Sequence, residues 1–192
     1  MLLIIGLTGF CCTGKDTISN YISEKYGYIH YSLSDIIREL MISKGIKITR
    51  ENLMNFGNEL RKKNGNGILS EKVLYKINNK VSTKYCISSL RHPEEILKLK
   101  NNSKKFVLMN VKANMTIRFN RMCMRNRLDD TKSLYEFNIS ERLQMKSNNK
   151  YTQQLKETIK MADITITNNY HNIDKLKKKI DYILKRYNLC NI

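Results

Sequence analysis

The 192-residue sequence has no tryptophan, one proline and about half as many acidic side chains as basic ones, 17 against 35. None of its five cysteines forms a CxxC pair, and no cysteine–histidine cluster has zinc spacing, so a structural zinc site is not expected. The odd cysteine count suits free thiols in a reducing, intracellular compartment, and a cytoplasmic location is expected. No apolar run is long enough to cross a membrane, and "MLLII" is interrupted by glycine at once and has no basic segment before it. It reads as a buried β-strand rather than a signal peptide or an anchor. With no internal repeat and no low-complexity linker, one domain over 1–192 is expected, long enough to bury a core unaided.

The net charge of +18 has two readings. A positive field collects phosphates and acidic ligands and is also found on nucleic-acid binders. Abundant lysine, asparagine, isoleucine and tyrosine with little proline or tryptophan is equally what an AT-rich genome would encode. Charge alone does not choose between them.

Short apolar runs rich in β-branched and aromatic residues alternate with helical patterns. The expected strands are "LLIIGL" (2–7), "YIHYSL" (28–33), "YCISSL" (85–90), "FVLMNVK" (106–112) and "DITITN" (163–168). Their nearly continuous apolar character is that of parallel strands covered on both faces. Helices are expected over 16–26, 34–45, 49–63, 67–82, 115–127, about 134–161 and 172–187, the last with Ile173, Leu176, Ile180 and Ile183 on one stripe. Ser34 and Thr49 are capping residues, and Gly45 ends its helix. This order predicts a three-layer, doubly wound α/β domain with about five parallel strands and helices on both faces.

"GLTGFCCTGKDT" (6–17) joins the first strand to the first helix, where such sheets bind ligands. Gly9 through Lys15 match GxxxxGK. Glycines let successive N–H groups point at an anion, the helix N-terminus adds positive charge, and Lys15 reaches the β- and γ-phosphates. Gly9, Cys12, Thr13, Gly14, Lys15, Asp16 and Thr17 are therefore the expected nucleotide-binding residues. A hydroxyl usually follows the lysine and binds magnesium, but here Asp16 intervenes. Either Asp16 ligates magnesium, directly or through water, or it points away while Thr17 serves. Cys11 and Cys12 read as small loop filler, because a disulfide between neighbours is strained.

From this loop onward the sequence resembles P-loop kinases of small phosphorylated molecules, including phage deoxynucleoside monophosphate kinases, adenylate-kinase-like proteins and dephospho-coenzyme-A kinases. The resemblance runs through nearly the whole chain. It implies that Asp35 and Arg38 of "SLSDIIREL" face the acceptor phosphate. Arg61, in the stretch "TRENLMNFGNELRKKNGNGIL", would be a cation on the closing acceptor helices, which span about 34–82. Relatives often end the third strand with Asp-Gly-x-Arg; in "ISSLRHPEE" Ser88 and Ser89 replace the acid and glycine, while Arg91 and Pro93 remain. The departure puts magnesium positioning in doubt, which Asp35 or Asp16 can help to supply. "NMTIRFNRMCMRNRLDD" (114–130) resembles the small helical lid, with at least two of Arg118, Arg121, Arg125 and Arg127 expected on phosphates. "ADITITNN" (162–169) would lie beside the donor base.

The resemblance thus implies ATP-dependent phosphoryl transfer with Mg2+ to a small phosphorylated acceptor, foremost a nucleoside or deoxynucleoside monophosphate. Lys15, Asp35, Arg121 and Arg125 are the expected catalytic residues, and Asp35, Arg38, Arg61 and Arg91 the expected substrate contacts. Dephospho-coenzyme A is the alternative acceptor, with Asp35 as base for its hydroxyl. A nucleotide- or nucleic-acid-binding protein without catalysis is the other class, which Ser88 and the charge favour. Retention of Lys15, Thr17, Arg38 and Arg91 weighs for the enzyme. The tyrosines fall mostly in strands and helix faces rather than among basic residues on a presented surface, which weighs against nucleic acid.

Overall fold

A computed structural model describes residues 2–78, 82–127, 130, 133–145, 149–170 and 172–190. Its first strand, β1 (Leu3–Thr8), is buried along its whole length. The chain continues through α1 (Lys15–Tyr26), β2 (Ile29–Ser32), α2 (Leu33–Ser43), α3 (Arg50–Asn64), α4 (Ile68–Asn78), β3 (Lys84–Leu90) and α5 (Pro93–Asn101). It ends with β4 (Lys105–Lys112), α6 (Met115–Arg125), α7 (Leu134–Met145), α8 (Leu155–Lys160), β5 (Ile164–Thr167) and α9 (Ile173–Arg186). All strand pairs are parallel, in the order β2-β3-β1-β4-β5. Sequential crossovers leave β1 in opposite directions, so its carboxyl end is the switch point of the sheet.

Alternating side chains supply two cores. Leu3, Ile5, Leu7, Val107, Met109 and Val111 face α1 and α9, meeting Ile18, Ile22, Leu176, Ile180 and Ile183. Ile4, Tyr85, Ile87 and Leu108 face α2 to α5, meeting Ile36, Met41, Leu53, Val73 and Ile96. The sheet thus lies between two helical layers, and its strands are continuous in apolar character because both faces are covered.

Local chemistry sets the boundaries. Thr49 Oγ1 accepts from Asn52 N at 3.1 Å and starts α3. Helix α2 begins at Leu33, with Ser32 rather than Ser34 at the N-cap. A larger correction concerns 134–161, whose described residues form two helices, Leu134–Met145 and Leu155–Lys160. Between them Asn149 Oδ1 accepts from Tyr151 N at 3.0 Å, and Asn149 O accepts from Thr152 Oγ1 at 2.7 Å. Such local bonds give the backbone an alternative to helix. The last residues of the helix expected over 67–82, 79–81, lie outside the described residues.

Candidate active site

The loop after β1 takes its shape from positions that require left-handed backbone. Gly9 has φ 124, Cys12 φ 57 and Gly14 φ 98. A Cβ on Gly9 would stand 2.2 Å from Val111 O, and one on Gly14 would stand 2.3 Å from Asn168 Nδ2. Both glycines are therefore needed for close approach as well as for φ. Asn168, just past β5, donates through Nδ2 to Thr13 O at 2.8 Å and ties the loop to the far side of the sheet. Lys15 Nζ folds back on the loop, donating to Gly9 O at 2.9 Å and to Phe10 O at 2.5 Å. Burial, reinforced by the charge of Arg91, pushes its pKa down to about 8.

This loop opens into a cavity of about 420 Å³ lined by Cys11, Cys12, Gly14, Lys15, Asp16 and Thr17. Asp35, Arg38, Arg50, Ser89, Arg91, Arg121, Arg125 and Arg127 line the rest of it, together with Ser32 and Ser34. Seven cations thus face two carboxylates, a field suited to polyanions. Gly9 and Thr13 shape the loop from behind rather than lining the cavity, and Thr13 is fully buried.

Around the cleft, α2 presents Asp35 and Arg38 one turn apart, with Arg38 Nη1 donating to Asp35 Oδ1 at 2.8 Å. The end of β3 presents Arg91 through a bulge: Leu7 pairs with Ser88 but Thr8 with Leu90. The bulged residue, Ser89, has φ 66, which explains why glycine suits this position in the kinases the sequence resembles. Ser88 is buried and shares a 2.8 Å hydrogen bond with His30 Nε2, so a hydroxyl–imidazole pair stands where the kinases the sequence resembles often carry a carboxylate. Burial lowers the pKa of His30.

Glu95 holds Arg91 in place from below. One carboxylate oxygen accepts from Arg91 N at 2.8 Å and from His92 N at 3.1 Å, capping α5. The other accepts from Arg61 Nη2 at 2.8 Å, both side chains being fully buried. This corrects the expectation for Arg61, which does not line the cavity but neutralises a buried carboxylate in the core. Arg91 Nη1 reaches Gln153 Oε1 at 3.3 Å, while its Nε is buried without a hydrogen-bond partner. Burial, then the charge of Arg50, lowers its pKa to about 10.

The four arginines of 114–130 divide. Arg118 turns away from the cavity, paired through both terminal nitrogens with Glu141 and stacked on Phe10 at 4.9 Å. It joins α6, α7 and the loop. Arg121 donates to Tyr170 O at 3.2 Å, Arg125 pairs with Asp130 and touches Cys11 Sγ at 3.6 Å, and Arg127 reaches Asp16 at 3.3 Å. These three line the cavity.

Arg50 was missed in the sequence. A cation at the first position of a helix opposes the helix dipole, and that mismatch is the signal that was available. Among the described residues no group of three His, Cys, Asp or Glu is placed to hold a metal, and no helix is long and apolar enough to cross a membrane.

A glycine-rich loop at the switch point of a parallel sheet, with its lysine and helix N-terminus on a cationic cleft, defines a P-loop nucleotide-binding fold of the kinase-like type. Residues 8–138 match the model of the AAA domain family, and the chain belongs to that family. It is 28% identical over 185 residues to a UPF0200/UPF0201 protein of Archaeoglobus fulgidus, covering 95% of this chain but 55% of that protein's length. It is 29% identical over 195 residues to a dephospho-CoA kinase of Fusobacterium nucleatum, covering 94% of this chain and 96% of the relative. Among solved structures, shikimate kinase from Acinetobacter baumannii in complex with shikimate superposes with a TM-score of 0.51 at 16% identity, over 97% of this chain and 94% of the other, and supports the fold alone.

Proposed function

We propose that the protein is an ATP-dependent phosphotransferase whose acceptor is a small phosphorylated molecule, foremost a nucleoside or deoxynucleoside monophosphate. The observation that carries this reading is the two-sided cleft, with Lys15 and the loop on one side and Arg38, Arg50 and Arg91 on the other, in one cavity. Phosphoryl transfer depends mainly on positioning and on cations around the transferring group. ATP lies with its phosphates against the N–H groups of the loop, and Lys15 exchanges loop carbonyls for phosphate oxygens. Arg38, Arg50 and Arg91 hold the acceptor phosphate, and Arg121 and Arg125 stabilise charge as it develops between the two.

Asp16 and Thr17 give a carboxylate and a hydroxyl beside the loop, an oxygen donor set that fits magnesium bound chiefly through substrate phosphates. When bound there, the ion neutralises phosphate charge. Ser88, next to the bulge at the end of β3, supplies no carboxylate to that side.

Dephospho-coenzyme A is the second reading. The Fusobacterium relative and the position of Asp35 in the cleft favour it, since a hydroxyl acceptor needs a base and a phosphate acceptor does not. For a phosphate acceptor, Asp35 would orient Arg38 instead.

An ADP-release assay over nucleoside and deoxynucleoside monophosphates plus dephospho-coenzyme A separates these. One acceptor should stimulate turnover, and Lys15→Ala should abolish it. ATP binding with no stimulation by any acceptor would sink the transferase reading in favour of a non-catalytic nucleotide binder.

A further inference from the structure

The proposed transfer chemistry makes no use of the two thiols in the loop. Cys11 Sγ lies 3.6 Å from Cys12 Sγ and 3.6 Å from Arg125 Nη2, and both cysteines line the cavity. The other cysteines differ: Cys86 is buried in the sheet, Cys190 packs against the core beside α9, and Cys123 is exposed on α6. Cys11 alone combines access from the cleft, a guanidinium on its sulfur and a second thiol within reach. Reactive cysteines occur in partly exposed, electropositive surroundings, often next to a resolving cysteine.

We propose that Cys11 is a modification site for hydroperoxides, with Cys12 as its resolving thiol. The thiolate of Cys11 attacks a peroxide oxygen, the O–O bond breaks, and the leaving oxygen takes a proton from solvent. Cys11 becomes a sulfenic acid. The sulfur of Cys12, giving up its proton, then attacks Cys11; the S–O bond breaks, water leaves, and a disulfide forms. Two electrons pass from the thiol pair to the peroxide. Hydrogen bonding with Cys12 and the charges of Arg50, Arg125 and Lys15 hold the Cys11 thiol well below its ordinary range, against the opposing effect of burial. Cys12 is shifted upward, chiefly by the same hydrogen bond, and stays a thiol.

Adjacent Cα atoms are about 3.8 Å apart, shorter than the roughly 4.4–6.8 Å usual across a disulfide, so the bond is strained and readily reduced. Forming it pulls on the left-handed residue Cys12 and turns the loop N–H groups away from a phosphate. That consequence rests on the loop being the nucleotide's phosphate site; the thiol chemistry itself does not.

The test treats the full chain with hydrogen peroxide and follows each cysteine by peptide mass spectrometry. The expected result is a loss of about 2 Da on the peptide carrying Cys11 and Cys12, before Cys123 changes, with reversal by a thiol reductant. In Cys12→Ser the reaction should stop at the sulfenic acid, a gain of about 16 Da that dimedone traps. Binding of a fluorescent ATP analogue should fall by roughly tenfold or more on oxidation and return on reduction, as expected if loop N–H contacts are lost. Oxidation of Cys123 at or before the dose that oxidises Cys11 overturns the proposal. If Cys11 reacts first but reduced protein binds no ATP, the modification site stands and the nucleotide reading falls.

Discussion

Gly14→Ala tests whether the loop's shape is enforced by the sheet behind it. Gly14 is the N-cap of α1, with φ 98, and an alanine Cβ would stand 2.3 Å from Asn168 Nδ2. Holding a non-glycine residue in left-handed backbone costs about 1–2 kcal/mol. Displacing Asn168 loses its buried bond to Thr13 O, a further ~0.5–1.5 kcal/mol. Together they predict a loss of roughly 2–3 kcal/mol, or a fall in Tm of about 5–10 °C for a chain of this size. Calorimetry measures the first effect and titration with ATP the second, which should weaken as loop N–H groups turn away. Asn168→Ala alone removes the bond and also the obstacle. In that background Gly14→Ala should cost about 1 kcal/mol less, a coupling read from the double-mutant cycle. A substitution that costs under about 1 kcal/mol with unchanged ATP affinity would refute the strain argument, and strict additivity would refute the contact with Asn168.

Arg50→Ala should raise the KM for the acceptor by about tenfold or more while leaving ATP affinity within about twofold, because a hydrogen bond to a charged group is worth roughly 1.5–3 kcal/mol. Arg61→Met should destabilise the protein by ~3–5 kcal/mol in chemical denaturation, since it strands the buried charge of Glu95. For Lys15 the folded pKa of about 8 lies below the ordinary 10.5, so the unfolded chain binds more protons across that window and stability rises with pH through it. Measured without nucleotide, wild type should gain up to roughly 3 kcal/mol relative to Lys15→Met between those limits, at about 1.4 kcal/mol per pH unit. A flat difference would refute the burial penalty. Arg125→Ala should lower kcat more than it weakens ATP binding, and equal losses in both would argue against a transition-state role.

The strands and their parallel arrangement were legible because burial on both faces leaves continuous apolar runs, as in β1 and β4. The loop was legible for a similar reason: Gly9, Gly14 and Lys15 are local requirements of one turn. What the sequence hid was pairing across distance. Arg61 and Arg118 look like cleft arginines until their partners Glu95 and Glu141 come from other helices. Arg50 and the His30–Ser88 pair are brought to the site by tertiary packing, which no residue spacing records. Between α7 and α8 the side chain of Asn149 accepts from the backbone N–H of Tyr151, a competition that helical periodicity does not register.

The burial of Lys15 has a further thermodynamic consequence. Its ammonium is opposed by burial and by Arg91, so near pH 8 it is partly deprotonated. Phosphate oxygens brought against it would reverse that balance and restore the charge. Nucleotide binding near this pH should therefore draw a fraction of a proton from the medium, and the measured binding heat should vary with the ionisation enthalpy of the buffer. The phosphate loop would then couple occupancy to proton uptake.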